Sequence, residues 1–274
     1  MKINIQHKLR RAIIIGSWIL SFAGMIVLLG FANYKQVNAV CKNVVVTVNE
    51  GEGHDFVDGN DILQLVNSKG KLIGKSFANI NKKLLEKIVL SNPFVERVEV
   101  YSTLDGNLHI DAWQRDPIVR VYNMQNEQFF IDKNGAFMPV SEKYTPSVIV
   151  ANGFIFNTYS EMKIAPPPVL KNLNNIDSLT IPRMINQVYK VASFVANDTF
   201  WSANTQQIFV NELQEIELVP RVGDHRILIG DTTELKNKFD RLFLFYQKGL
   251  SNTGWNKYSL INLKFKDQVV CTKK

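Results

Sequence analysis

The residues with the best claim to chemistry are GKLIGKS, Gly70–Ser76, because glycines beside a lysine and a hydroxyl are what a phosphate cradle requires. A nucleotide loop reads G-x-x-x-x-G-K-[ST], follows a strand and opens a helix, so that backbone N–H groups aim at phosphates. Here three residues separate Gly70 from Gly74, and the preceding DILQLVNS carries Ile62, Leu65 and Val66 at helical spacing. Helix then glycine is the wrong order. Gly70 is expected to stop that helix, and Gly74 to turn the chain toward the next one, with Lys75 facing solvent.

His7, His54, His109 and His225 stand alone, with no ligand or base at a metal-site offset, and are expected at the surface. No G-x-S-x-G or S-x-x-K occurs. Cys41 and Cys271 lie near opposite ends of the chain, so a disulfide is formally open and two unpaired thiols are favoured. Neither a cofactor, a metal nor a nucleotide is implied, although catalytic groups assembled in space leave no motif.

The elements that would position these groups begin with an anchor. Residues 12–34 contain no charge over 23 positions, enough to cross a hydrocarbon layer of roughly 30 Å. Lys2, Lys8, Arg10 and Arg11 precede the run and the first acidic residue is Glu50, which places residues 1–11 in the cytoplasm and the bulk of the chain outside. A cleaved signal peptide is the alternative, with Val37-Asn38-Ala39 as its site, but the apolar run exceeds the usual 7 to 15 residues. Four of the 32 basic residues precede Tyr34, so the remainder, with 25 acidic residues, carries only +3 of the total +7. That balance, and export, exclude nucleic acid.

Beyond a linker at 35–42, the residues read strand, helix, helix, strand, strand. NVVVTV from Asn43 is β-branched, one helix starts near Asp58, and another near Asn79 places Ile80, Leu84 and Ile88 on its inner face. VERVEV and the run through Leu108, Ile110 and Ala112 flank a two-residue turn at Asp105-Gly106. A second module follows. Asn134-Gly135 makes a similar turn between FFID and AFMPV, and VIVA, IFV, EIELV and RILIG add strands of a mainly antiparallel sheet. One helix after Pro182 turns Ile185, Val188, Ala192 and Val195 inward. Another carries Leu235, Phe239, Leu242, Phe243 and Tyr246, with a capping box of Asp231 and Glu234 and a stop at Gly249. APPP, Ala165–Pro168, is expected as an exposed extended loop.

The run NPFVERVEVYSTLDGNLHIDAWQRDPIVRVYN, followed by FFIDKNGAF, resembles the FtsQ/DivIB family of bacterial cell-division proteins. The positions that carry the likeness are Pro93, Val95, Val98, Val100, Leu108, Ile110, Arg115, Pro117, Asp132 and Gly135. The chain departs from it at Leu104-Asp105, where the family has a Trp-Pro-like pair. The closing YSLINLKFKDQVVCTKK resembles the family's last strands, with Asn262, Lys264 and Phe265 at its Asp, Arg and Tyr places.

The resemblance implies an α+β protein: a transmembrane helix at 12–34, a POTRA domain (β-α-α-β-β) at 43–117, and a β domain with two helices at 118–274. It implies a non-catalytic, single-pass inner-membrane scaffold at the division septum, with most of the chain in the periplasm. This would link early and late divisome components and help regulate septal peptidoglycan synthesis. Partners would be FtsB- and FtsL-like bitopic proteins, bound by β-strand addition. A POTRA-type assembly or translocation factor and a membrane-anchored cell-wall enzyme are the alternatives. The expected docking residues are Lys264, Phe265, Asp267, Gln268, Val269, Val270 and Cys271, because a last hairpin can leave one row of backbone groups unpaired. The same lysines equally suit an edge guarded by charge.

Overall fold

The computed structural model describes residues 14–28, 39–49, 55–162 and 182–274. Residues 14–28 are helical (α1) with exposed side chains, and no described helix is long and apolar enough to cross a membrane. Positions 12, 13 and 29–34 of the uncharged run, residues 35–38 of the 35–42 linker, His7, His54 and the APPP segment lie outside the described residues. The chain divides into two compact units, Met1–Asn49 with Val57–Trp113, and Glu50–Phe56 with Gln114–Lys274.

In the first unit β1 (Asn43–Asn49), α2 (Gly59–Asn67), α3 (Lys82–Leu90), β2 (Val95–Ser102) and β3 (Asn107–Gln114) give the expected strand, helix, helix, strand, strand order. The sheet order is β1-β3-β2, and β1 runs parallel to β3 with Val46 opposite Ile110. Its inner face buries Val98, Val100, Leu108, Ile110 and Ala112 under Ile62, Val66, Leu85 and Val89 of the two helices. A reciprocal box starts α2: Asp61 N–H donates to Asp58 Oδ1, and Asp58 N–H donates to Asp61 Oδ2, both at 2.9 Å. Asn81 caps α3 through its Oδ1 and Leu84 N–H. A 3₁₀ turn at Phe77–Asn79 delays α3 to Lys82, so Leu85 and Val89 face inward while Leu84 is 52% exposed. This corrects the expected face at Leu84 alone, since Ile80 is buried and Ile88 packs against the core.

The second unit is a nine-stranded sheet in the order β12-β11-β10-β9-β8-β7-β4-β5-β6. Its strands are β4 (Pro117–Tyr122), β5 (Gln128–Asp132), β6 (Phe137–Pro139), β7 (Ile149–Gly153), β8 (Thr205–Val210), β9 (Ile216–Pro220), β10 (Arg226–Gly230), β11 (Tyr258–Asn262) and β12 (Val270–Lys273). Antiparallel pairs dominate, but β4–β7, β7–β8 and β10–β11 are parallel. Helices α4 (Tyr159–Met162), α5 (Arg183–Ala196), α6 (Thr199–Asn204), α7 (Leu235–Phe245) and α8 (Ser251–Thr253) complete the unit. Ile185, Val188, Ala192 and Val195 of α5 enter the main core with Trp201, Phe239, Leu242 and Tyr246. Phe243 is 36% exposed instead.

Two further expectations are corrected at α7. Its N-cap, Glu234, has φ +48° and makes no side-chain cap, because the Asp231 carboxylate is held by Lys238 and Thr233. Gly249 does not stop the helix. A π-helical turn at Tyr246–Leu250 carries the chain on through α8 to Gly254, whose φ of +92° ends it.

Four hairpins share one device. Each joins its strands by a loop longer than two residues, with the fourth residue at positive φ: Gly106, Asn126, Gly135 and Gln214. At Asp105-Gly106 and Asn134-Gly135 this corrects the expected two-residue turn. In three of the four the first side chain, Asn123, Asp132 or Asn211, accepts the amides two and four residues on. Short polar side chains that satisfy turn amides locally set these strand registers.

The C-terminal sheet edge as candidate functional site

The last seventeen residues form the terminal edge of the larger sheet. β11 lies parallel to β10, pairing Arg226 with Leu260 and Ile227 with Ile261, and Leu263 N–H extends this by donating to Leu228 O at 2.9 Å. β12 then returns antiparallel to β11, pairing Cys271 with Ile261 and Val270 with Asn262. Lys274 N–H donates to Lys257 O at 3.2 Å. Amide direction alternates along an antiparallel strand, so the N–H groups of Thr272 and Val270 also face β11, and those of Lys273 and Cys271 face outward. Since β12 ends the strand order, that outward row has no strand beside it among the described residues.

Side chains alternate too. Cys271 and Val269 pack against the core, while Val270 is 42% exposed on the opposite face. The seven expected docking residues do come together at this edge, in two groups. Val270 and Cys271 belong to β12; Lys264, Phe265, Asp267, Gln268 and Val269 form the loop before it. Phe265 is 51% exposed, and Asp267 turns the loop with φ +56°. Lys264 is committed: its Nζ pairs with Glu215 Oε1, and its stem crosses Gly230, where any Cβ would meet Lys264 Cγ at 2.7 Å.

Sequence alone missed the residue that holds the loop. Arg241 of α7 reaches across and donates to the carbonyl oxygens of Leu263 at 3.0 Å, of Gln268 at 3.3 Å, and of Phe265. No pattern in α7 marks it, since its partners lie 22 to 27 residues away and are backbone atoms. At the strand's far end Lys274 Nζ pairs with Asp224 Oδ2 at 2.6 Å, and this hydrogen bond holds the Asp224 carboxyl below its ordinary range.

Other chemically suggestive residues have structural partners. Arg115 Nη1 donates to Asp132 Oδ2 at 2.9 Å, while Asp132 Oδ1 accepts the amides of Asn134 and Ala136, so these resemblance positions lock the β5–β6 turn. Burial pushes the fully enclosed Asp132 carboxyl above its usual range, although Arg115 and both amides favour its charged form. His225, expected at the surface, is 4% exposed, with Nε2 3.1 Å from Tyr246 Oη, and burial lowers its pKa. Its neighbours in space, not its neighbours in sequence, enclose it. Cys41 is buried with its Sγ 3.5 Å from Asn43 O, and burial raises both thiols. Among the described residues no three metal-ligating side chains gather.

GKLIGKS is not built as a phosphate cradle. The amides of both glycines and of the lysine are taken: Gly70 N–H by Asn67 O at 3.0 Å, Gly74 N–H by Cys41 O at 2.8 Å, and Lys75 N–H by Leu72 O at 3.1 Å. The adjoining cleft holds about 150 Å³ and is floored by Val66, Leu72, Ile80 and Leu85. Ligand pockets usually exceed roughly 300 Å³.

The described residues thus form two sheet modules with packed helices, the second ending its strand order on β12. Residues 116–272 match the family described as FtsQ/DivIB, C-terminal related, and residues 39–113 match a POTRA-like domain. The chain belongs to the FtsQ/DivIB family of cell-division proteins, which are generally non-catalytic and interact with other division proteins. No curated protein matches the chain.

Proposed function

We propose that the chain is a single-pass inner-membrane scaffold of the division septum, anchored by residues 12–34 with its N-terminus cytoplasmic. It docks an FtsB-like bitopic partner, itself joined to an FtsL-like one, by adding a strand to β12. The observation that carries this is the outward row of backbone groups on β12, set beside exposed Phe265 and Val270. An added strand satisfies those groups, while side chains on the two faces set specificity. A shared membrane raises the partners' effective concentration, so a short edge suffices. Residues 43–117 act as the POTRA domain and 118–274 as the partner-binding β domain, and regulation of septal peptidoglycan synthesis passes through the partners.

Proline tests this directly, because it removes one ladder donor and is tolerated where the N–H faces away from the sheet. Cys271→Pro and Lys273→Pro each delete an outward amide and are expected to stay folded by circular dichroism. Both are expected to lose co-purification with the partner. Two folded variants that still bind would refute strand addition and leave β12 as an edge guarded by its lysines.

A further inference from the structure

The Gly70–Ser76 loop presents unneutralised charge. From Ile62 to Leu85 the sequence has five lysines and no acidic residue. Lys69, Lys71 and Lys75 are exposed, and among the described residues none of the three has a carboxylate within ion-pair distance. Between them Ile73 stands 49% exposed.

The loop is fastened to the chain that arrives from the uncharged run. Phe77 N–H donates to Ala39 O at 2.9 Å, Cys41 N–H to Lys75 O at 2.8 Å, and Gly74 N–H to Cys41 O at 2.8 Å. Fully buried Cys41 locks this pairing to the core. Ala39 follows Tyr34 by five residues, a reach of at most about 18 Å in an extended chain.

We infer that Lys69, Lys71 and Lys75, with Ile73 between them, are a contact for an anionic bilayer surface. The inference rests on the reading of residues 12–34 as a membrane span. Given that span, the tether keeps the loop within about two Debye lengths of the headgroups, where several lysines together draw it in. Lysine stems reach charge while lying along apolar material, and an exposed isoleucine fits the boundary between headgroups and acyl chains. A free phosphate fits less well, because the amides of Gly70, Gly74 and Lys75 are already bonded to carbonyl oxygens. A diffuse negative surface needs only point charges.

The test uses the full chain in vesicles of phosphatidylcholine, with or without roughly a third phosphatidylglycerol, at about 50 mM salt. Amine-reactive labelling of Lys69, Lys71 and Lys75 is read by mass spectrometry against Lys236, an exposed lysine of the other unit. Anionic vesicles are expected to slow labelling of the three by at least about threefold, and about 0.5 M salt is expected to abolish the difference. Lys71→Gln with Lys75→Gln is expected to return Lys69 to its rate in neutral vesicles. Flotation on neutral vesicles after an alkaline wash reports the span separately. A chain that floats but labels equally in both lipids overturns the lipid contact alone; one that does not float overturns the span and the contact together.

Discussion

Removing the Arg241 guanidinium should loosen the C-terminal edge and little else. Three carbonyl oxygens of the β11–β12 loop converge on that one group, two through Nη1 and one through Nη2. A hydrogen bond from a charged donor contributes about 1.5–3 kcal/mol when its partner is buried. Here the oxygens of Phe265 and Gln268 can turn to water, and only the Leu263 contact is partly buried. A net loss of about 2 kcal/mol follows, confined to the opening of residues 263–274, which is about a 30-fold change in the local equilibrium. Hydrogen exchange reads this amide by amide. In Arg241→Ala the inward amides of Val270 and Thr272 should lose about 30-fold in protection, while those of the β4–β5 pair stay within about twofold. Arg241→Lys, which can reach only part of the set, should fall between. Partner binding should change less than exchange, since apparent affinity drops only with the populated fraction of the closed edge. Unchanged protection at Val270 and Thr272 would show that the loop is held by something else. An equal loss in every strand would make Arg241 a general stability residue.

Two further outcomes follow from the charged pairs. Arg115→Ala leaves Asp132 buried without its counter-charge and should cost about 3–5 kcal/mol in urea unfolding. Adding Asp132→Asn should restore most of that, because Asn123 and Asn211 make the same turn with a neutral side chain; a double variant as unstable as the single would refute this account. Hydrogen bonds from Lys238 and Thr233 lower the Asp231 pKa to about 2, below the unfolded value of about 3.9. Its stabilisation is therefore complete above about pH 5 and fades as pH falls toward 2. The Asp231 side chain is 47% exposed, so solvent screening holds the effect to about 1 kcal/mol. The stability difference between the native protein and Asp231→Asn should accordingly shrink between pH 5 and pH 2; a constant difference would argue against the linkage.

The features legible in the residues alone rest on short-range chemistry. The order of strands and helices in the first unit, the inner stripe of α5 and the Asp58 cap follow from apolar periodicity and from side chains that bond to amides two or three residues away. The position of a final hairpin was legible for the same reason. The turns show where local rules stop. Asp105-Gly106 and Asn134-Gly135 marked the bends, but each loop is longer: Asp132 accepts the amides of Asn134 and Ala136, and the Thr103 backbone pairs with Gly106 N–H and Asn107 O.

Tertiary structure alone decided the rest. The four parallel pairings, the burial of His225, the exposure of Leu84 and the diversion of Asp231 from helix capping to Lys238 all depend on groups brought together from distant segments. The same holds for the candidate site. The expectation of a final hairpin put Val270 and Cys271 near an edge, but only the packed sheet placed β12 outermost, turned its Cys271 and Lys273 amides outward, and brought Arg241 onto the loop that holds it there.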